Sequence, residues 1–220
     1  DAQESRGLGD VYKRQALGLE EGETYTVEEL LEGLIVASGN DCAYQLALTV
    51  DDSEAEFARN MTMKASELGL NSQIYYNASG VDTEDGQENS SSARDLFKLT
   101  QHIIEKYPEI LEYGSVREII DPRRNINVES TVPLIGEIDG VDGLKTGTTD
   151  QAGACLISTT DMKKLDSKDD FRTIGVVMGA DQKDTRNSVM SDLIYYVSRY
   201  YNLESAVSYT HLTLPTTPYV

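Results

Sequence analysis

At Gly143 the periodicity of this chain changes from helical to extended, and that change confines it to a two-part α+β architecture. Upstream, Val27, Leu30, Leu31, Leu34 and Ile35 recur on one helical face. Thr26 and Glu29 stand at its start with the spacing of a capping box. Gly39 and Asn40 interrupt this helix, and Asp41 leads into a second apolar stretch over 42–50, so that Ser38-Gly39-Asn40 sits in an interhelical loop. Ser53 with Glu56 offers another capping box, opening a helix that turns Phe57, Met61 and Leu68 inward and stops near Gly69. The pattern repeats over 92–107, while 75–86 and 121–124 are rich in turn-forming residues and read as loops. Downstream, 144–148, 152–159 and 171–178 read as sequential antiparallel strands, the last two separated by a charged turn. A closing helix over 184–200 places Val189, Leu193, Ile194 and Val197 on one face, suited to covering that sheet. The expected fold is a helical lobe plus an antiparallel sheet backed by a C-terminal helix.

Both ends read as something other than protein. Asp10-Val11-Tyr12-Lys13-Arg14-Gln15 is what GAT GTG TAT AAG AGA CAG encodes, the mosaic end of transposase-based sequencing libraries. Val207-Ser208-Tyr209-Thr210-His211-Leu212 is what its reverse complement encodes. The expected division is adapter-like sequence over 1–15 and 207–220, with a partial domain over 16–206. The formal charge of −19 survives this trimming, because Asp1, Glu4 and Asp10 cancel Arg6, Lys13 and Arg14. So acidic a chain repels nucleic-acid phosphates and argues against DNA or RNA as partners. No apolar run approaches the roughly 20 residues of a membrane span. Cys42 and Cys155 lack metal-ligand spacing and sit in apolar stretches, so neither a disulfide nor a metal is expected.

Two short motifs carry chemistry. Residue frequencies of roughly 5–7% produce a Ser-x-Asn about once by chance in a chain this long, and a Lys-Thr-Gly in only a few per cent of such chains. Their weight comes from order: Ser38-Gly39-Asn40 between helices precedes Lys145-Thr146-Gly147 on a strand, two of the three signatures of penicillin-recognising serine enzymes. The ordinary alternatives are helix capping and a left-handed turn for Ser38 and Asn40, and an exposed strand lysine beside a turn-forming Thr-Gly for Lys145. The third signature, Ser-x-x-Lys, occurs nowhere in the chain.

Over residues 19–203 the sequence resembles the D-alanyl-D-alanine carboxypeptidases, low-molecular-mass penicillin-binding proteins of serine peptidase family S11. The resemblance runs through Val27-Glu28-Glu29-Leu30-Leu31 into Ser38-Gly39-Asn40-Asp41, then Ser92-Ala93-Arg94-Asp95, then Gly140-Val141-Asp142-Gly143-Leu144-Lys145-Thr146-Gly147-Thr148. It implies a β-lactamase/DD-peptidase-like fold, incomplete at the N-terminus, where intact members carry leading strands and the Ser-x-x-Lys helix. It implies removal of the terminal D-alanine of peptidoglycan stem peptides ending in D-Ala-D-Ala, through an acyl-enzyme that β-lactams trap. Its setting is the bacterial cell envelope outside the cytoplasm, with membrane contact only through segments outside this chain. No cofactor and no metal are implied.

By that resemblance Ser38 relays a proton toward the leaving nitrogen, and Asn40 hydrogen-bonds substrate and steadies the lysine of the absent motif. Lys145, Thr146 and Thr148 address the substrate's terminal carboxylate. Gly147 lets the substrate backbone lie along the strand, and the Thr148 N–H is one oxyanion donor. As written, the chain is expected to be inactive for want of the nucleophile. The alternatives are a catalytically dead homologue with a binding or regulatory role, or a serine β-lactamase, which needs a deacylating glutamate that no motif singles out.

Overall fold

The computed structural model describes residues 16–83, 86–165 and 170–200; the adapter-like segments 1–15 and 207–220 lie outside the described residues. The helical part begins with α1 (Val27–Val36), where the capping box closes reciprocally. The Thr26 hydroxyl accepts from the Glu29 N–H at 3.1 Å, and the Glu29 carboxylate accepts from the Thr26 N–H at 2.8 Å. Leu30, Gly33 and Val36 form its buried stripe. α2 (Asn40–Val50) follows after a three-residue turn and packs on α1. α3 (Glu54–Glu67) starts where the Ser53 hydroxyl accepts from the Glu56 N–H, and it buries Ala58 and Ala65, with Phe57, Met61 and Leu68 only half-buried. α4 (Ala93–Lys106) is capped by Ser92 and anchored by Asp95, whose carboxylate accepts from the N–H and hydroxyl of Ser72. The hydroxyl bond is the main cause that holds the Asp95 pKa below its usual value.

A short helix, α5 (Ile110–Gly114), leads into a hairpin that sequence reading missed: β1 (Glu118–Asp121) paired antiparallel with β2 (Ile126–Glu129). The expected loop over 121–124 is its turn. Arg124 reaches from that turn to Glu29 at 2.6 Å and Glu23 at 3.1 Å, and its guanidinium lies 4.4 Å from the centre of the Tyr25 ring. The hairpin is thereby fastened to the N-terminus of α1.

The main sheet has three antiparallel strands in the order β3 (Val141–Thr149), β4 (Gly153–Asp161), β5 (Arg172–Ala180). At one end of the sheet the Asp142 carboxylate on β3 takes the Arg172 guanidinium of β5 at 2.6 Å and the Thr159 hydroxyl of β4 at 2.8 Å. α6 (Lys183–Tyr200) lies across the sheet, as expected, with Ile194 buried and Leu193 packed on the core, but Met190 takes the place expected for Val189. Met190 is fully buried while Val189 is 40% exposed. The cause is Gly175 on β5, where an added Cβ would come within 2.5 Å of the Met190 sulfur, so the missing side chain is the thioether's seat. Met190 and Ile194 join Leu156, Val177, Val141 and Ile138 in the core, each full burial being worth about 1.5–3 kcal/mol.

Candidate active site

Two elements bring the motif residues together. The first is the turn between α1 and α2. Ser38 sits at φ 58°, in the left-handed region a serine seldom occupies, and the turn closes with the Gly39 N–H donating to the Gly33 carbonyl at 3.0 Å. Gly39 then caps α2, and Asn40 is its first residue, only 6% exposed. The loop assignment for the whole motif is therefore corrected: Ser38 and Gly39 form the turn, and Asn40 belongs to the helix. The left-handed turn offered as the ordinary explanation of Ser38 is present, and it also aims the hydroxyl at β3.

The second element is β3, where Lys145 lies opposite Ile157 of β4 and Gly147 opposite Cys155. Lys145 Nζ donates to Ser38 Oγ at 2.5 Å and to the Thr146 carbonyl at 2.9 Å. Burial of the ammonium pulls the Lys145 pKa down to about 8. The Lys145–Ser38 contact thus couples a cation that releases its proton readily to a hydroxyl that can both accept and donate. Beyond it, Gly147 and Thr148 are exposed. An added Cβ on Gly147 would meet no atom within 4 Å, and among the described residues β3 pairs only with β4. The free edge of β3 therefore presents backbone groups to a cleft of about 510 Å³ that all six candidate residues line: Ser38, Asn40, Lys145, Thr146, Gly147 and Thr148.

The cleft is also lined by Glu88 and Asn89, just past the expected loop over 75–86. Asn89 holds that loop by accepting from the Tyr76 N–H at 2.7 Å and donating to the Asn77 carbonyl at 3.0 Å. Desolvation, and then Asp82 and Asp150, raise the Glu88 pKa above its usual value. Behind the motif, Arg186 on α6 is 4% exposed and donates to the Cys155 carbonyl at 3.3 Å and to Asn187. An arginine in an amphipathic helix ordinarily lies on the solvated face, so no sequence signal pointed to its burial. Burial and the neighbouring Asp41 push the Cys42 thiol up to about 12, leaving it unreactive at neutral pH. Cys155 is likewise a free thiol. Among the described residues no group of three or more His, Cys, Asp or Glu side chains is arranged to hold a metal.

Asp41, which the sequence marked only as the lead into the second helix, binds backbone on the far side of the turn. One carboxylate oxygen accepts from the N–H groups of Leu17 and Cys42, each at 2.9 Å. The other accepts from those of Gly18 at 2.9 Å and Leu19 at 3.0 Å.

A hydroxyl–ammonium pair beside an open strand edge suits an extended peptide with an anionic end, the strand supplying backbone pairing and the cation supplying charge. Known proteins point the same way. The family model described as D-alanyl-D-alanine carboxypeptidase, peptidase S11, matches residues 2–182. D-alanyl-D-alanine carboxypeptidase DacF of Bacillus subtilis is 35% identical over 188 residues, 83% of this chain and 45% of that protein. Penicillin-binding protein D2 of Listeria monocytogenes, solved in its cefotaxime-bound form, superposes with a TM-score of 0.68 at 32% identity, covering 80% of this chain and 68% of that one. Penicillin-binding protein 6B of Escherichia coli gives a TM-score of 0.73 at 31% identity, over 84% and 55% of the two chains. The chain spans about half the length, or less, of the curated relatives it matches.

Proposed function

The chain belongs to the D-alanyl-D-alanine carboxypeptidase family, peptidase S11, and on that premise we propose that its cleft is the substrate side of a serine-type D-Ala-D-Ala carboxypeptidase. The observation that carries the reading is the junction of Ser38 and Lys145 beside the open face of Gly147. A stem peptide ending in D-Ala-D-Ala lies antiparallel along β3, its terminal carboxylate met by Lys145 and by the hydroxyls of Thr146 and Thr148. Asn40 holds the peptide from the helix side. In the acyl transfer, the proton that the attacking serine loses passes through the Ser38–Lys145 pair to the departing D-alanine nitrogen. The Thr148 N–H faces the carbonyl oxygen as it gains charge. β-Lactams, whose carboxylate and strained amide mimic that peptide end, occupy the same place. The reaction belongs outside the cytoplasmic membrane, where peptidoglycan lies. Among the described residues no helix is long and apolar enough to cross a membrane.

This reading requires a serine followed three residues later by lysine, and the 220 residues contain no such pair. The chain as it stands therefore binds without turning over. Titrating it with an acyl-D-Ala-D-Ala peptide under NMR observation should shift the backbone resonances of Ser38, Asn40 and residues 145–148, with no covalent adduct of benzylpenicillin in the mass spectrum. Equal shifts from the acyl-L-Ala-L-Ala peptide, or none from either, would sink the assignment. The same absent pair favours a second reading, a homologue that binds peptidoglycan peptides without catalysis. An acylated serine in this chain would eliminate that reading.

A further inference from the structure

Resting on that reading of the cleft, we propose that Asp41 is the positioning residue of the site: by binding the N–H groups of residues 17–19 it clamps the Ser38 turn against β3.

The turn is a place where the chain needs outside support. Ser38 occupies a backbone region that strains a non-glycine residue, and Gly39 caps α2 without a side-chain hydrogen bond. Asp41 supplies what the turn lacks. Its two oxygens gather four backbone N–H donors, three of them 22 to 24 residues away in sequence. A carboxylate is the side chain for this task, because both of its oxygens accept and neither donates.

The packing around it agrees. An added Cβ on Gly39 would lie 3.0 Å from the Asp41 carboxylate and 3.1 Å from Cys42 Sγ. An added Cβ on Gly33 would lie 2.6 Å from the same sulfur and 2.7 Å from the Leu17 side chain. The segment that Asp41 binds through its backbone therefore also packs, through Leu17, against the helix that ends in the Ser38 turn. Pulling Asp41 away releases both sides of the turn, and the partner that loses its place is Ser38 Oγ, the acceptor for Lys145.

Asp41 touches neither Lys145 nor the cleft, so its effect must reach the lysine through the turn. The full chain labelled at lysine carbons allows the Lys145 titration to be followed by NMR without any substrate. In Asp41→Asn an amide N–H₂ replaces one accepting oxygen and faces N–H donors. The Lys145 midpoint should then rise from about 8 toward the ordinary lysine value as its ammonium becomes solvated. Asp95→Asn removes a comparable carboxylate anchor from Ser72, away from the cleft, and should lower the melting temperature without moving the Lys145 midpoint. An unmoved midpoint in a folded Asp41→Asn, or an equal shift in both variants, overturns the proposal.

Should Asp41→Asn fail to fold, the unmodified chain gives a second reading. In hydrogen exchange the amide protons of Leu17, Gly18, Leu19 and Cys42, all bound to Asp41, should open as one unit, and that of Gly39 should open with them. Independent opening of the four, or a Gly39 amide that stays protected when they open, refutes the clamp. Neither experiment uses a peptide or a β-lactam, so failure of the proposed activity and failure of the clamp are separate results.

Discussion

The two glycines of the two motifs look alike in sequence and stand in opposite circumstances. Gly39 is buried, and a Cβ there would press on Asp41 and Cys42; Gly147 is exposed, and a Cβ there would meet nothing within 4 Å. The first glycine is therefore demanded by the chain's own interior. The second answers to no internal contact, so its reason lies with whatever enters the cleft. One half of the site is fixed by folding, and the other is left bare for a ligand.

The largest expected effect tests Lys145, where the two halves meet. The Lys145 pKa falls from 10.5 to about 8 on burial. Between those pH values the unfolded chain binds this proton more tightly than the folded one, so stability rises with pH across the window. Below pH 8 both states hold the proton and the penalty is constant, at most about 3 kcal/mol. Urea unfolding from pH 7 to 10.5 should show this rise as a difference between the chain and Lys145→Met; a flat difference would mean that the ammonium is solvated. Next in size, Gly39→Ala should cost about 1–3 kcal/mol by crowding Asp41 and Cys42, read from the urea midpoint. Gly147→Ala should change stability by less than about 0.5 kcal/mol while weakening the acyl-D-Ala-D-Ala peptide in the NMR titration. If Gly147→Ala destabilised as much as Gly39→Ala, the contrast between the two halves would collapse.

The elements that carry the site were legible where a local rule governs them. Thr26 and Glu29 announced the start of α1, Ser92 that of α4, and the three strands from Val141 to Ala180 followed in the expected antiparallel order. The six candidate residues were legible as motifs, and the structure brings them to one cleft. What was missed is non-local. The β1–β2 hairpin has four-residue strands, too short for alternation to register, and is held by Arg124 reaching about a hundred residues back. Asp41 read as the opening of a helix because its partners at 17–19 share no periodicity with it. On α6 the Leu193 and Ile194 positions were legible, but Met190 replaces Val189 because Gly175, on another element, makes room for it. Arg186 is buried against the Cys155 carbonyl of β4, a contact that no spacing encodes.

The ion pair of Asp142 with Arg172 has a mechanical meaning for the cleft. With Thr159 it staples all three strands at one end of the sheet, while Lys145 to Thr148 lie farther along β3, toward the turn into β4. The sheet is thus braced like a truss: the ion pair ties its outer strands at one end, and at the other β3 stays paired with β4 as far as Thr149 opposite Gly153, so the edge that Lys145 to Thr148 present is stiff along its whole length.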